Sequence, residues 1–191
     1  HPREILPVMP LLGKLHAADG VFSVLGNHDY AEYVKLSPEQ ELRNIYETRS
    51  VEKRCGWNLL LNSNHTIRRG RDSIVIAGEQ NFERPDSANF TRTMRGVGAR
   101  AFTIVLQHNP KAWEKHIVKD ARARLTLCGH THGGQLSLFG FRPTQIEYHQ
   151  DDGLYKMANR YLYVSSGLGG LVPFRLGVTP EIVVITLHKA K

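Results

Sequence analysis

The chain of 191 residues reads as an α/β fold on three observations. β-rich runs and well-signalled helix starts alternate through its early part, and strand-type runs dominate its late part. Three apolar runs also end directly in loops built from Gly, Asn and His. From Pro2 to about Ala18, apolar residues at Ile5, Leu6, Met9, Leu12 and Leu15 predict one helix face, kinked near Pro7 and Pro10. Gly20 closes it, and Val21–Leu25 follows as a short strand. Ser37, Pro38 and Gln40 form a helix start with a capping box, Leu42, Ile45 and Tyr46 supply its expected inner face, and Gly56 marks its end. Strands are expected at Trp57–Leu61 and Ser73–Ala77, with a turn at Arg68-Arg69-Gly70-Arg71 before the second. A short helix at Asn89–Val97, the strand Ala101–Leu106 and a helix from Asn109-Pro110 to about Lys119 come next. Strands at Arg124–Cys128, Tyr161–Val164 and Glu181–Leu187 complete the series, with an antiparallel portion toward the C-terminus.

Composition narrows the function classes. With 41% hydrophobic and 23% charged residues the chain is globular rather than disordered. No apolar run approaches the ~20 residues that span a bilayer. Cys55 and Cys128 form no CxxC pair, which excludes a cysteine-rich zinc site. The net charge of +7 suits anionic partners, and ten histidines are many for this length. No linker, charge block or repeat divides residues 1–191, so a single domain is expected.

The chemistry concentrates at three strand ends. Val21–Leu25 leads into Gly26-Asn27-His28-Asp29, Ala101–Leu106 into Gln107-His108-Asn109-Pro110, and Arg124–Cys128 into Gly129-His130-Thr131-His132-Gly133-Gly134. Ligands of α/β sheets bind outside the carboxyl ends of strands, where such loops converge. Taken alone, Gly26–Asp29 is an ordinary turn and His108 a hydrogen-bonded structural histidine. His130-x-His132 between glycines is a better metal pattern, because imidazole and carboxamide oxygen both bind divalent transition metals. Three such junctions together point to a metal centre.

Gly26-Asn27-His28-Asp29, the isolated His108 and Gly129-His130-Thr131-His132 resemble the last three signature motifs of the calcineurin-like metallophosphoesterases. Gly129–Gln135, Tyr161–Gly170 and Pro180-Glu181-Ile182 resemble one bacterial branch, the YkuE/YaeI-like phosphohydrolases, and the likeness runs from about Gly20 to Leu187. The resemblance implies a β-sandwich flanked by helices and a hydrolase using two divalent metal ions (Mn, Fe, Zn or Ni). Asn27, His108 and His130 would bind one metal and His132 the other. His28 would contact the phosphoryl group as general acid or electrostatic stabiliser, and Asp29 would orient His28. The family's opening Asp-x-His and Gly-Asp-x-x-Asp motifs are absent upstream of Gly26. The expectation is therefore an N-terminally truncated metallophosphoesterase domain, lacking its first strands and weakly active or inactive alone.

The implied substrate is a phosphodiester or pyrophosphate, lipid-linked or nucleotide, and membrane association would come through a missing N-terminal segment. Nucleic acid is not an expected partner, since basic and aromatic residues do not interleave along a groove. The competing class is a non-enzymatic basic module that binds nucleic acid or anionic membrane, its histidines serving structure only. His16, His65, His116, His149 and His188 are expected in structural or solvated roles. Trp57 and Trp113 are expected as packing anchors, Cys128 as a small buried residue, and Arg175 as a sheet-edge ion pair or a phosphate contact.

Overall fold

The computed structural model describes residues 2–188. Two one-turn helices, α1 (Pro2–Ile5) and α2 (Met9–Leu12), replace the single kinked helix expected over Pro2–Ala18. The prolines stop the first turn from propagating. The short strand β1 (Phe22–Ser23) pairs in parallel with β2 (Asn58–Leu59), and between them runs α3 (Pro38–Arg54). Its Ser37 hydroxyl accepts the Gln40 N–H and the Gln40 side chain returns the bond, which is the capping box the sequence predicts.

The main sheet has six strands in the order β3 (Ser63–Arg69), β4 (Asp72–Gly78), β5 (Phe102–Leu106), β6 (Ala123–Cys128), β8 (Arg160–Val164) and β7 (Gly153–Met157). The inner four run parallel, whereas β3 and β7 are antiparallel edges. This α/β mixed sheet bears out the expected class, including the late antiparallel portion. Both edge strands escape the sequence reading because their residues (Ser63-Asn64-His65-Thr66 and Lys156-Met157) are largely solvated and lack a clean period of two. The inner strands bury Val75, Ala77, Val105, Leu162 and Val164 against Ala112 and Trp113 of α5 (Lys111–Lys115) and against Ile117 of the 3₁₀ turn that follows. The helix expected through Lys119 breaks at His116, while that expected over Asn89–Val97 forms only α4 (Phe90–Thr93), capped by Asn89. No strand ladder forms over 181–187 among the described residues. Glu181 instead donates its N–H to Gly167 and accepts the Ser166 N–H, leaving Ile182 and Val184 exposed.

The inner face of α3 also differs from expectation. Leu42 and Tyr46 are 72% and 75% exposed, and the buried stripe is Asn44, Thr48, Val51 and Glu52. The reason is the surface that α3 meets. It packs on the backbone of the Asn27–Tyr30 turn, where the Asn44 amide donates to the Asp29 carbonyl at 2.8 Å, and such a surface asks for donors rather than methyl groups. Below this contact, Ser23 hydrogen-bonds the buried carboxyl of Glu52.

Burial raises the Glu52 pKa to about 7, with the Ser23 bond opposing and the Asp29 charge reinforcing the rise. The folded chain therefore holds a proton that the unfolded chain releases near pH 4.5, so stability is full below that pH and falls as pH rises through 7. Glu52→Gln should raise the melting temperature at pH 8 by several degrees and leave it nearly unchanged at pH 4.5. Equal shifts at the two pH values would contradict the assignment.

Candidate active site

The parallel arrangement of β4, β5, β6 and β8 brings their carboxyl ends to one edge of the sheet, and the His108 and His130 loops leave from β5 and β6. The Gly26–Asp29 loop reaches them from β1. Gly26 can lie so close because it has no side chain: a Cβ there would sit 2.7 Å from the His108 ring. As a result the Asn27 amide oxygen lies 2.9 Å from His108 Nε2, and His130 Nδ1 lies 3.1 Å from the same nitrogen. One ring proton on His108 Nε2 can serve only one of these two neighbours, so lone-pair donors crowd a shared point. The Asn27 amide is turned this way because its nitrogen donates to Glu32 (2.7 Å) and to the Tyr33 hydroxyl (3.1 Å).

Burial keeps these imidazoles neutral. It lowers the His108 pKa to about 3, aided by neighbouring His130, His132 and His28, and it also lowers His130 and His132. Neutral imidazole is the form that ligates a metal. The other nitrogen of His130 meets the Tyr148 hydroxyl at 2.7 Å, an outer partner of the kind that fixes the orientation of ligating histidines. Asn27, His108 and His130 thus form a neutral N/O donor set of a chemistry that suits one divalent transition metal. Among the described residues, no group of three or more His, Cys, Asp and Glu side chains could hold a metal ion, so this set depends on the Asn27 amide and includes no carboxylate.

His28 and His132 face the same space, a cavity of about 220 Å³ lined also by Asn27, Tyr33, His130 and Tyr148. The exposed His28 ring leans on Tyr33, with centroids 4.6 Å apart. The Asp29 carboxylate turns back to accept the Gly26 N–H at 2.8 Å, so it holds the turn that carries His28 rather than the ring itself. Burial raises the Asp29 pKa, and that N–H bond opposes the rise.

The His130–Gln135 loop has an unusual backbone. His130, His132 and Gln135 have φ of 72°, 54° and 54°, a left-handed region that costs a non-glycine residue about 1–2 kcal/mol. Several bonds hold it there. Thr131 donates its hydroxyl to the Asp151 carbonyl at 2.6 Å. The buried Gln135 amide donates to the carbonyls of Val172 and Phe174 (both 2.8 Å) and accepts the N–H groups of Leu171 and Val172. Among the described residues Arg175 forms no sheet-edge ion pair. It ties together the carbonyls of His132 (3.1 Å), Ser166 (2.7 Å), Gly167 and Gly169. Tyr148, Tyr33, Glu32 and Gln135 were not assigned roles from sequence, since nothing in local spacing marks a residue that acts through a neighbour. His116, with Nε2 3.0 Å from the buried Glu79 carboxylate, His65 against Phe22, and Trp113 in the core fill structural roles. Burial pushes the Cys128 thiol well above its usual range, which keeps it an unreactive thiol.

No family model matches the chain, and no solved structure matches it. Among curated proteins, it is similar to the Bacillus subtilis metallophosphoesterase YkuE, 30% identical over 94% of this chain and 60% of that protein. An Aquifex aeolicus metallophosphoesterase is 29% identical over 93% of the chain and 64% of its own length. The UDP-2,3-diacylglucosamine pyrophosphatase LpxG of Chlamydia muridarum is 27% identical over 91% of the chain and 66% of its own length. The chain thus spans about two thirds or less of these relatives. No helix among the described residues is long and apolar enough to cross a membrane.

The depressed His108 pKa has a measurable consequence. Below pH 6.5 the unfolded chain takes up a proton that the folded chain refuses until about pH 3, so stability is lost as pH falls through that window. Thermal melts of the metal-free chain between pH 7 and 4 should show this loss, and His108→Gln should make the slope shallower. An NMR titration placing the His108 pKa near 6.5 would refute the buried neutral imidazole.

Proposed function

Because the chain belongs to the calcineurin-like metallophosphoesterase superfamily, we propose that its strand-end cavity is part of a metal-dependent phosphoesterase site for phosphodiester or pyrophosphate bonds. The observation that carries this reading is the convergence of Asn27 Oδ1, His108 Nε2 and His130 Nδ1, at 2.9 and 3.1 Å, in neutral form. These three residues would hold one divalent ion and His132 would contribute to a second. When bound, such a pair lowers the pKa of a water and offsets charge on the phosphoryl oxygens.

The chain's own residues supply the rest. His28, exposed on the cavity and steadied by Tyr33, is placed to contact a phosphoryl oxygen and to pass a proton to the leaving oxygen as the P–O bond breaks. Asp29 holds the turn beneath it. Tyr148 keeps the Nδ1 of His130 aimed at the shared point. The donor set on these residues holds no carboxylate, so we take residues 1–191 as part of one metallophosphoesterase domain that turns over slowly alone.

A lipid-linked or nucleotide substrate is supported by two observations. Leu171, 68% exposed, lines the cavity, with Leu168 and Phe174 exposed nearby on the loop that Gln135 clamps. One relative is named as a pyrophosphatase of a UDP-linked diacylglucosamine.

Calorimetric titration with Mn²⁺ tests the reading without relying on turnover. The chain should bind the ion, Tyr148→Phe should weaken binding by about 10–100-fold, and Asn27→Ala with His130→Ala should abolish it. Undiminished binding by the double variant would sink the proposal.

A further inference from the structure

A second and larger cavity, about 480 Å³, adjoins the first and shares Asn27, Tyr33, His130 and Tyr148 with it. That volume lies within the ~300–1,000 Å³ range of small-molecule sites. A group bonded to a phosphoryl in the histidine cavity would extend straight into it. The new wall is polar, with Asn81, Glu83, Asn109, Lys111 and Glu147.

Asn81 is only 1% exposed. Its amide nitrogen donates to the carbonyls of Arg84 (3.0 Å) and Pro85 (3.2 Å), while its buried amide oxygen accepts no hydrogen bond from any described residue. A buried acceptor left unpaired is costly, so this oxygen asks for a donor. Other acceptors line the same cavity. Glu83, held at φ 78°, accepts from Asn109 (3.2 Å) and from Lys111 (3.4 Å), and Lys111 also reaches Glu147 (2.7 Å). Lys111 lies over the Tyr148 ring at 4.6 Å, and Phe82 also lines the cavity.

The charges decide what this wall accepts. Glu32, Glu83 and Glu147 outnumber Lys111 and Arg84, so a second phosphate or other anion is disfavoured. Hydroxyl groups fit instead: each donates to a carboxylate or to the Asn81 oxygen and accepts from Lys111. We infer that this cavity binds the hydroxyl-rich, sugar-like part of the phosphoester, on the side of the phosphoryl away from Leu171. The inference rests on the proposed phosphoesterase reading and names the substrate class more closely.

Calorimetry on the 191-residue chain with saturating Mn²⁺ tests it, with inorganic phosphate, phenyl phosphate and glucose 1-phosphate as probes. Glucose 1-phosphate should bind at least tenfold more tightly than the other two. Asn81→Leu and Glu83→Ala should each erase that advantage and leave phosphate affinity unchanged. Glu83 lies partly in solvent, so its variant remains informative if the Asn81 variant does not fold. If phosphate binds and the sugar adds nothing, or its advantage survives in Glu83→Ala, the inference fails while the phosphoesterase reading stands. If inorganic phosphate does not bind, the proposed function fails and the inference with it.

Discussion

Everything at the strand ends depends on the approach of Asn27 to His108. Its 2.9 Å contact requires Gly26 to lie against an imidazole face, where any side chain would collide. It also requires the Asn27 amide to be turned by Glu32 and Tyr33, and the His130 ring to be turned by Tyr148. Three loops from separate strands are thereby locked around one point crowded with lone pairs. On the proposed reading, a cation among the donors would relieve this crowding.

The rest of the fold supports that point. The parallel register of β5 and β6 sets His108 beside His130, and α3 fastens the first loop by bonding its backbone through Asn44. The left-handed residues of the His130–Gln135 loop are maintained by Thr131 and Arg175, which bond main-chain carbonyls, and by Gln135, which bonds main-chain groups of both kinds. Strain of this kind persists where surrounding contacts over-determine it, commonly at functional sites. The same Gln135 clamp positions the apolar loop on one side of the cavity, and the Glu83–Lys111–Glu147 wall lies on the other.

How much of this was legible depended on whether a residue acts through its own spacing or through a distant partner. The inner strands and the α3 cap were readable, since apolar runs and a Ser-Pro-x-Gln start are local signals. The edge strands β3 and β7 were not, because solvated strands carry little period. The inner face of α3 was misread because Leu42 and Tyr46 mimic a hydrophobic stripe, while the true contact is a polar loop backbone. Glycine-flanked strand ends single out Asn27, His28, His108, His130 and His132, and the structure brings them together, four lining the histidine cavity with His108 beneath. Asp29, expected to orient His28, instead accepts the Gly26 N–H. Tyr148, eighteen positions from its histidine partner, carried no signal that sequence could show.

On the proposed reading Asn27, His108 and His130 together hold one cation. X-ray absorption spectroscopy of the chain loaded with one equivalent of Zn²⁺ tests it most directly. The spectrum should show a ligand shell with at least two imidazole nitrogens and one oxygen donor, and the imidazole signal should be lost in a His108→Ala, His130→Ala double variant. An imidazole-free shell, or one unchanged in that variant, would contradict it.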